Sequence, residues 1–565
     1  MKFFAKMKIV FFLTLCFLVE VNNHANSQNL LWAKQMGGLN SDGGSSIFVD
    51  INGNVYSTGS FQDTVDFDPG IGTYNLIATD SADIYVSKLD AFGNFVWAKK
   101  MGGVNNEAGH SVFVDTNGNV YVTGWFSGTA DFDPDTSSYY MTSSAGMDIF
   151  ICKMNNSGNF LWAKRIGGNQ NQYSMSIAID PKGNVCTTGF FQNLVDFNLG
   201  SGVYNLNSGG YDIFVSKLDS SGNFIMAKQM GGNPADEGIS IAVNGNGNIY
   251  TSGYFQYNAD FDPGTGTYTL SSSGSTDIFI SKLDSLGNFI WAKKMGGAST
   301  DWGYSIAVDL NGNLYTTGWF SGTADFDPDT TTYNLTSNGG YDIFVSKLDS
   351  SGNFLWAKQF GGIGNDAGIS IGIDGSGNVY TTGYFSNAAD FDPGNGIYNL
   401  ISAGNIDIFI SKLNSSGNFV WAEQLGGTSD DAGTSISVDA SENVYVTGYF
   451  SDTVDFDSGV GIFNLNSFGS HDIFVVKLGD ATGIAENYHS LNSVNIYPNP
   501  SHGKIKITSS NNIDVLEIRN TMGQIIYQIK PNAKDILLQL TNDGIYFVTL
   551  ISNEQTTTRK LIVCK

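Results

Sequence analysis

The chain has 565 residues, more than one ordinary domain needs, although an array of repeats can exceed that size. Charged residues make up only 14% and aromatic residues 13%, which excludes an intrinsically disordered composition. Asp and Glu outnumber Lys and Arg by 53 to 28, and the formal charge of −25 argues against nucleic acid and anionic membranes as partners, leaving cations, basic proteins and neutral polysaccharides.

Residues 1–27 read as a secretory signal peptide. Lys2, Lys6 and Lys8 form the basic region, Ile9 to Val19 an apolar run, and Ala25-Asn26-Ser27 supplies small residues at −3 and −1 for cleavage before Gln28. The run is too short to span a bilayer. A lipoprotein signal at Cys16 is rejected because Leu15 is too bulky before such a cysteine and the site falls mid-run. No later segment has the length of a membrane helix, so the mature chain is expected to carry no transmembrane span. Cys152, Cys186 and Cys564 then remain, an odd and scattered set that reads as small buried hydrophobes rather than a disulfide framework.

Residues 28–479 are organised by internal repetition. Trp-Ala-Lys begins at Trp32, Trp97, Trp162, Trp291 and Trp356, with Met-Ala-Lys at Met226 and Trp-Ala-Glu at Trp421, and the steps between copies are 64 or 65 residues. The Asp-Phe element at Asp66, Asp131, Asp196, Asp260, Asp325, Asp390 and Asp455 keeps the same spacing. Within a repeat the pattern is β throughout. Ile47 to Asp50 reads as a first strand and Val55 to Phe61 as a second. Asp83 to Leu89 and Phe95 to Met101 follow as third and fourth, with Asn-Gly or Gly-Asn turns inside each pair. Four strands in this length fit a propeller blade. The chain begins with a fourth strand, Leu30 to Met36, and the last repeat stops after its third, Asp472 to Leu478. Pairing those two strands would leave no free edge, so an all-β, seven-bladed β-propeller closed by the N-terminal strand is the expected fold.

Units such as Asp115-Thr116-Asn117-Gly118-Asn119-Val120-Tyr121-Val122-Thr123-Gly124 resemble the SBBP-type β-propeller repeat of secreted bacterial proteins. The resemblance covers about residues 29–479 and implies a fold without an activity.

Residues 480–492 read as a linker. Over 493–565 the texture changes to alternating short strands, expected as a small β-sandwich. Tyr497-Pro498-Asn499-Pro500, Met522-Gly523, Gly544-Ile545-Tyr546 and the terminal Lys560-Leu561-Ile562-Val563 resemble the type A sorting domain of the type IX secretion system. That resemblance implies passage from the periplasm through the outer membrane, the type IX machinery as a partner, and a product released or held at the surface.

In a propeller the tight first-to-second and third-to-fourth turns share one face and the long connections the other, and long loops are where function is expected. Asp42, Glu107, Gln172, Asp236, Asp301, Asp366 and Asp431 occupy one equivalent loop position, and Asp66 with Asp68 and Asp131 with Asp133 another. The carboxylates Asp42, Glu107, Asp236, Asp301, Asp366 and Asp431 are candidate calcium ligands, since a hard cation wants several oxygens. The alternative is that these acids cap strands and turns. No Asp-x-Asp-x-Asp-Gly calcium loop is present, and the EF-hand-like start at Asp50 fails because Phe61 stands at position twelve.

Ser60, Trp125, Phe190, Tyr254, Trp319, Tyr384 and Tyr449 each precede an invariant Phe near the loop-rich face. Trp125, Tyr254, Trp319, Tyr384 and Tyr449 are candidate ligand-binding rings, with packing between blades as the other account. Catalysis has little support. The propeller carries only His110 and His471, and no nucleophile elbow or metal-spaced cluster occurs. Asp90-Ala91-Phe92-Gly93-Asn94 resembles the Asp-box of sialidases, but Arg165 is the propeller's only arginine. Met226, Cys186, Glu423 and Gln172 depart from the repeat without forming a coherent group. The sequence therefore points to an exported module that binds or adheres to an extracellular glycan or protein, against a structural matrix component or an enzyme acting on extracellular polysaccharide through a carboxylate pair.

Overall fold

The computed structural model describes residues 28–135, 137–459, 461–479, 495–497, 501, 503–520, 524–542, 544–552 and 555–563. The signal segment, the linker and Pro498, Asn499 and Pro500 lie outside these residues, as do Met522, Gly523 and Cys564. The chain divides into two compact units, Met1–Gly479 and Asp480–Lys565.

The first unit is built from antiparallel strands, four principal ones per repeat, and the end of a fourth strand also pairs with the next repeat, as Gly102 does with Asp131. One repeat runs Gly43–Val49, Val55–Asp66, Asn75–Leu89 and Phe95–Gly103, each strand pairing with the next. The tight turns form where the sequence places Gly after Asp-x-x. Asp50 Oδ1 accepts the backbone N–H of Asn52 and Asn54 at 2.8 and 3.0 Å, while Gly53 takes a left-handed φ of 79° that an L side chain resists. The same design recurs at Asp90 with Gly93. In the last repeat Ala432–Val438, Val444–Phe450 and Asp472–Gly479 are joined by Asn29–Met36 from the other end of the chain. Met36 stands opposite Ile473 and Asn29 opposite Gly479.

The first strands of the seven repeats lie innermost. Each touches the next in chain order, and Gly43–Val49 also touches Ala432–Val438. One serine per repeat stitches these neighbours: Ser46 Oγ accepts Val112 N–H at 3.2 Å, Ser111 Oγ accepts Ile177 N–H at 3.3 Å, and so on round to Ser435 Oγ, which accepts Ile47 N–H at 3.1 Å. Apolar side chains fill the spaces between successive sheets. Phe61, Phe67 and Tyr85 are fully buried with Met36 and Ile473, and Phe61 meets Phe67 edge-on at 5.4 Å. Cys152 and Cys186 are buried, and burial pushes both thiols well above their ordinary range, which leaves them unreactive.

The second unit has one sheet of Asn495–Tyr497, Lys504–Ile513 and Ala533–Gln539 and another of Ile525–Ile529, Val515–Asn520, Gly544–Ser552 and Gln555–Val563. Ile505, Ile507, Leu516, Ile518, Val548, Leu550 and Leu561 form its core. Tyr497 ends the first of these strands, Gly544 pairs with Val563, and Lys560 pairs with Phe547. No helix among the described residues is long and apolar enough to cross a membrane.

Candidate functional site

The acids singled out in the loops form a buried girdle, one position per repeat. Asp301 is fully buried, its Oδ2 accepting Gly297 N–H at 2.7 Å and its Oδ1 Ser321 N–H at 3.1 Å. Asp42, Asp236, Asp366 and Asp431 hold the equivalent two backbone donors, and Glu107 takes Gly103 N–H at 3.0 Å. Each of the five aspartates is a clamp tying two segments together, whereas Glu107 holds a single backbone donor.

A second buried acid on the third strand faces each of six clamp positions: Asp83 beside Glu107, Asp212 beside Asp236, Asp277 beside Asp301, Asp342 beside Asp366, Asp407 beside Asp431 and Asp472 beside Asp42. The two meet over the first glycine of the Gly-Gly pair that ends the fourth strand. A Cβ on Gly361 would stand 2.6 Å from Asp342 Cγ and 2.9 Å from Asp366 Oδ2, which is why no side chain fits there. Burial, reinforced by the facing acid, pushes Asp42, Asp236, Asp301 and Asp431 up to about 7 and Glu107 up to about 8. Oδ1 of Asp83, Asp212, Asp277, Asp342 and Asp472 has no hydrogen-bond partner. In the remaining repeat Gln172 stands in the clamp position opposite Asp148, an amide that is permanently neutral. Among the described residues no group of three or more His, Cys, Asp and Glu is placed to hold a metal ion.

The aromatic candidates lie inside this girdle, on the second strands where they face the innermost ones. Their cross-strand partners break the symmetry. Ser60, Trp125, Tyr384 and Tyr449 face Gly43, Ala108, Ala367 and Ala432. Phe190, Tyr254 and Trp319 face the large residues Tyr173, Glu237 and Trp302. A β-bulge between Gly303 and Ser305 re-aims Tyr304 into the same region, and the equivalent bulge in the second repeat re-aims His110.

The result is an arc of rings over consecutive repeats. Trp125 meets Tyr173 at 6.0 Å, Tyr173 meets Phe190 at 4.8 Å, and Phe190 meets Tyr211 at 5.3 Å. Tyr254 stacks on Trp302 at 4.4 Å and 12°, Trp302 meets Trp319 at 5.3 Å, and Trp319 meets Tyr341 at 4.6 Å. The Tyr341 and Tyr384 hydroxyls hydrogen-bond at 2.9 Å. Glu237 is the one carboxylate in the arc. It hydrogen-bonds the Tyr254 hydroxyl, lies within electrostatic reach of Tyr173 and Tyr304, and burial raises its carboxyl. At one end, burial holds His110 down at about 4, so it is neutral; Trp125 Nε1–H donates to its Nε2 at 3.2 Å, and its Nδ1 meets Ser174 O at 3.2 Å. At the other end, Tyr449 packs on His471 at 5.0 Å.

Tyr173, Tyr211, Glu237, Trp302, Tyr304 and Tyr341 escaped the reading of the sequence. They are departures from the repeat that do form one group. The signal was present as bulky residues directly after the clamp in three successive repeats, Tyr173, Glu237 and Trp302, where the others carry Gly or Ala. A separate cavity of about 750 Å³ opens beside the tight turns and is lined by Phe48, Phe113, Ile179 and Val243. The carboxylates on its wall, Asp50, Asp115 and Asp180, are taken up in their own turns.

Comparison with known proteins agrees with both halves of the chain. A model of the beta-propeller repeat matches residues 31–60, 290–323, 355–392 and 420–449. A model of the secretion system C-terminal sorting domain matches residues 495–564. The chain thus carries SBBP β-propeller repeats and a type IX sorting domain, and it is exported by that system to the cell surface or the extracellular space.

An uncharacterised WD repeat-containing protein of Acanthamoeba polyphaga mimivirus is 26% identical over 80% of this chain, which spans 38% of that protein. The regulatory protein FlaEY of Caulobacter vibrioides is 27% identical over 30% of this chain and 18% of its own length. The chain thus spans less than two fifths of the length of either curated relative. Among solved structures, PorZ, a surface component of the type-IX secretion system of Porphyromonas gingivalis, aligns over 94% of this chain and 100% of its own at 11% identity, with a TM-score of 0.27. Sqt1 of Chaetomium thermophilum aligns over 80% of this chain and 99% of its own at 11% identity, with a TM-score of 0.33.

Proposed function

We propose that the mature protein is a closed seven-bladed β-propeller that binds a glycan or a protein at the cell surface through its long-loop face, without catalysing a reaction. The cyclic contact of the seven first strands and the seat of Asn29–Met36 in the last sheet support the closed ring. Cleavage of residues 1–27 and a propeller running from 28 to 479 belong to the same reading.

The arc of rings carries the functional part. Core packing alone would repeat seven times, as Phe61 and its equivalents do, whereas these rings crowd onto consecutive repeats and leave Gly43, Ala108, Ala367 and Ala432 opposite. Half-buried Trp and Tyr side chains offer large contact area at little cost in conformational entropy, with hydroxyl and indole N–H groups at their tips for polar contacts.

The test is saturable binding of the mature protein to an array of polysaccharides and surface proteins. The expected result is a hit that Tyr304→Ala or Trp319→Ala weakens about tenfold or more, with the melting transition retained. An array that stays blank would replace this reading with that of a structural matrix component.

A further inference from the structure

In six repeats a tight turn joins the third strand to the fourth. In the last repeat those strands come from opposite ends of the chain, so a gap stands where the turn would be. The residues beside that gap depart from the repeat together. Lys34, Lys99, Lys164, Lys228, Lys293 and Lys358 follow Trp-Ala or Met-Ala, but the seventh copy has Glu423. The loop after Asp455 carries Ser458 where five other copies have Pro.

Glu423 is only 4% exposed. Its Oε2 accepts from Ser458 Oγ at 2.7 Å and its Oε1 from the backbone nitrogen of Gln28 at 2.5 Å. Asp457 and Tyr398 are the other titratable groups that face it, and no Lys or Arg among the described residues pairs with it. Burial pushes this carboxyl up to about 7, the mark of a buried acid lacking a cation. The nitrogen it faces belongs to the residue that the small side chains of Ala25 and Ser27 leave at the start of the mature chain.

We propose that cleavage between Ser27 and Gln28 makes Glu423 the receptor for the new α-ammonium group, an ion pair that locks the N-terminal strand into the last repeat once the leader is gone. Hydrolysis by a signal peptidase adds water across that peptide bond. The hydroxyl goes to the Ser27 carbonyl carbon, which leaves as a carboxylate, and a proton goes to the Gln28 nitrogen, which takes a second proton from solvent at neutral pH. The leader-bearing chain offers Glu423 a neutral amide N–H, whereas the processed chain offers a full positive charge to a buried carboxylate. The pair rests on the export reading and is independent of what the loop face binds.

The test starts with the exported protein. Mass spectrometry of the intact mature chain is expected to place its N-terminus at Gln28 with a free amine. Thermal unfolding then compares wild type, Glu423→Gln, a variant with one alanine ahead of Gln28, and the two changes combined, each N-terminus verified by mass. Each single change should lower Tm by about 3 °C or more at pH 7. The combination should fall no lower than the worse single variant, because both remove one pair. The gap to wild type should narrow as pH rises through the folded-state pKa of the α-amine, which its partner raises above the ordinary value near 8, and close or reverse by about pH 10.5. A chain that starts elsewhere, or a Gln28 cyclised to an uncharged lactam, would overturn the proposal. So would losses that simply add, or a gap that persists at high pH. The alanine variant keeps Glu423 in place, so a folding failure of Glu423→Gln would not decide the matter.

Discussion

At Asp301 burial, helped by the facing acid Asp277 and opposed by two backbone N–H donors, raises the carboxyl to about 7. The sign of the pH effect follows from linkage. In the unfolded chain an aspartate titrates near 4, whereas here burial raises Asp42, Asp236, Asp301 and Asp431 to about 7. Below about pH 4 both states are protonated and the contribution is complete. From there to about 7 the folded state keeps protons that the unfolded state has released, so stability falls as pH rises. The first unit should therefore melt several degrees higher at pH 5 than at pH 8 in a scanning calorimeter. Asp301→Asn adopts the neutral amide chemistry that Gln172 already uses. The wild-type advantage over it should be larger at pH 5 and shrink or reverse at pH 8; a constant offset would mean the proton is not held there. The sequence displayed these acids at one equivalent position, and of its two readings, calcium ligands or caps of strands and turns, the hydrogen bonds fit the capping one. It did not reveal the facing acid, which is brought alongside by a neighbouring sheet.

At the scale of the repeat, each element does one job seven times, and the exceptions show which interactions matter. The lysine of the third strand lies over the tyrosine of the second, as Lys153 does over Tyr121 at 4.9 Å, and that tyrosine's hydroxyl reaches the turn carboxylate, Asp115, at 3.2 Å. In the third repeat Cys186 replaces the tyrosine. Lys217 then reaches Asp180 directly at 2.7 Å, with both side chains almost fully buried. Lys217→Met should cost about 2–4 kcal/mol because it strands a buried carboxylate, whereas Lys153→Met should cost about 1 kcal/mol, the scale of a cation–π contact. Urea denaturation of the two variants measures the difference, and equal losses would refute the distinction. The strands and tight turns were legible because Asn-Gly signals and alternating rings are local. The arc of rings was not, because Tyr173, Glu237 and Trp302 stand about 65 residues apart and a bulge in each first strand breaks the alternation that would have assigned their faces.

At the scale of the whole molecule, the last sheet depends on both ends of the chain. Ile473 and Val475 are fully buried beside Met36 and Lys34, so removing the N-terminal strand would bare the edge of Asp472–Gly479 and part of the core around Met36. The pairing could be anticipated by counting strands at the two ends, since the chain supplies a fourth strand first and a third strand last. What the count could not show is its cost in folding. Six repeats supply their own fourth strand, but the last must wait for a contact across almost the entire repeat array. Deleting residues 28–37 should therefore do more harm than removing eight β residues from an interior sheet edge. The bared edge is a template for pairing with a second chain. The deletion variant is expected to elute as dimers and larger species in size-exclusion chromatography and to lose the single cooperative melting transition of the mature protein. Recovery of a monomeric peak and a sharp transition on adding a synthetic peptide of residues 28–37 would attribute the defect to the missing strand, because only an intact remainder can accept it. A monomeric deletion variant that melts like the mature protein would show that the last sheet holds without the N-terminal strand.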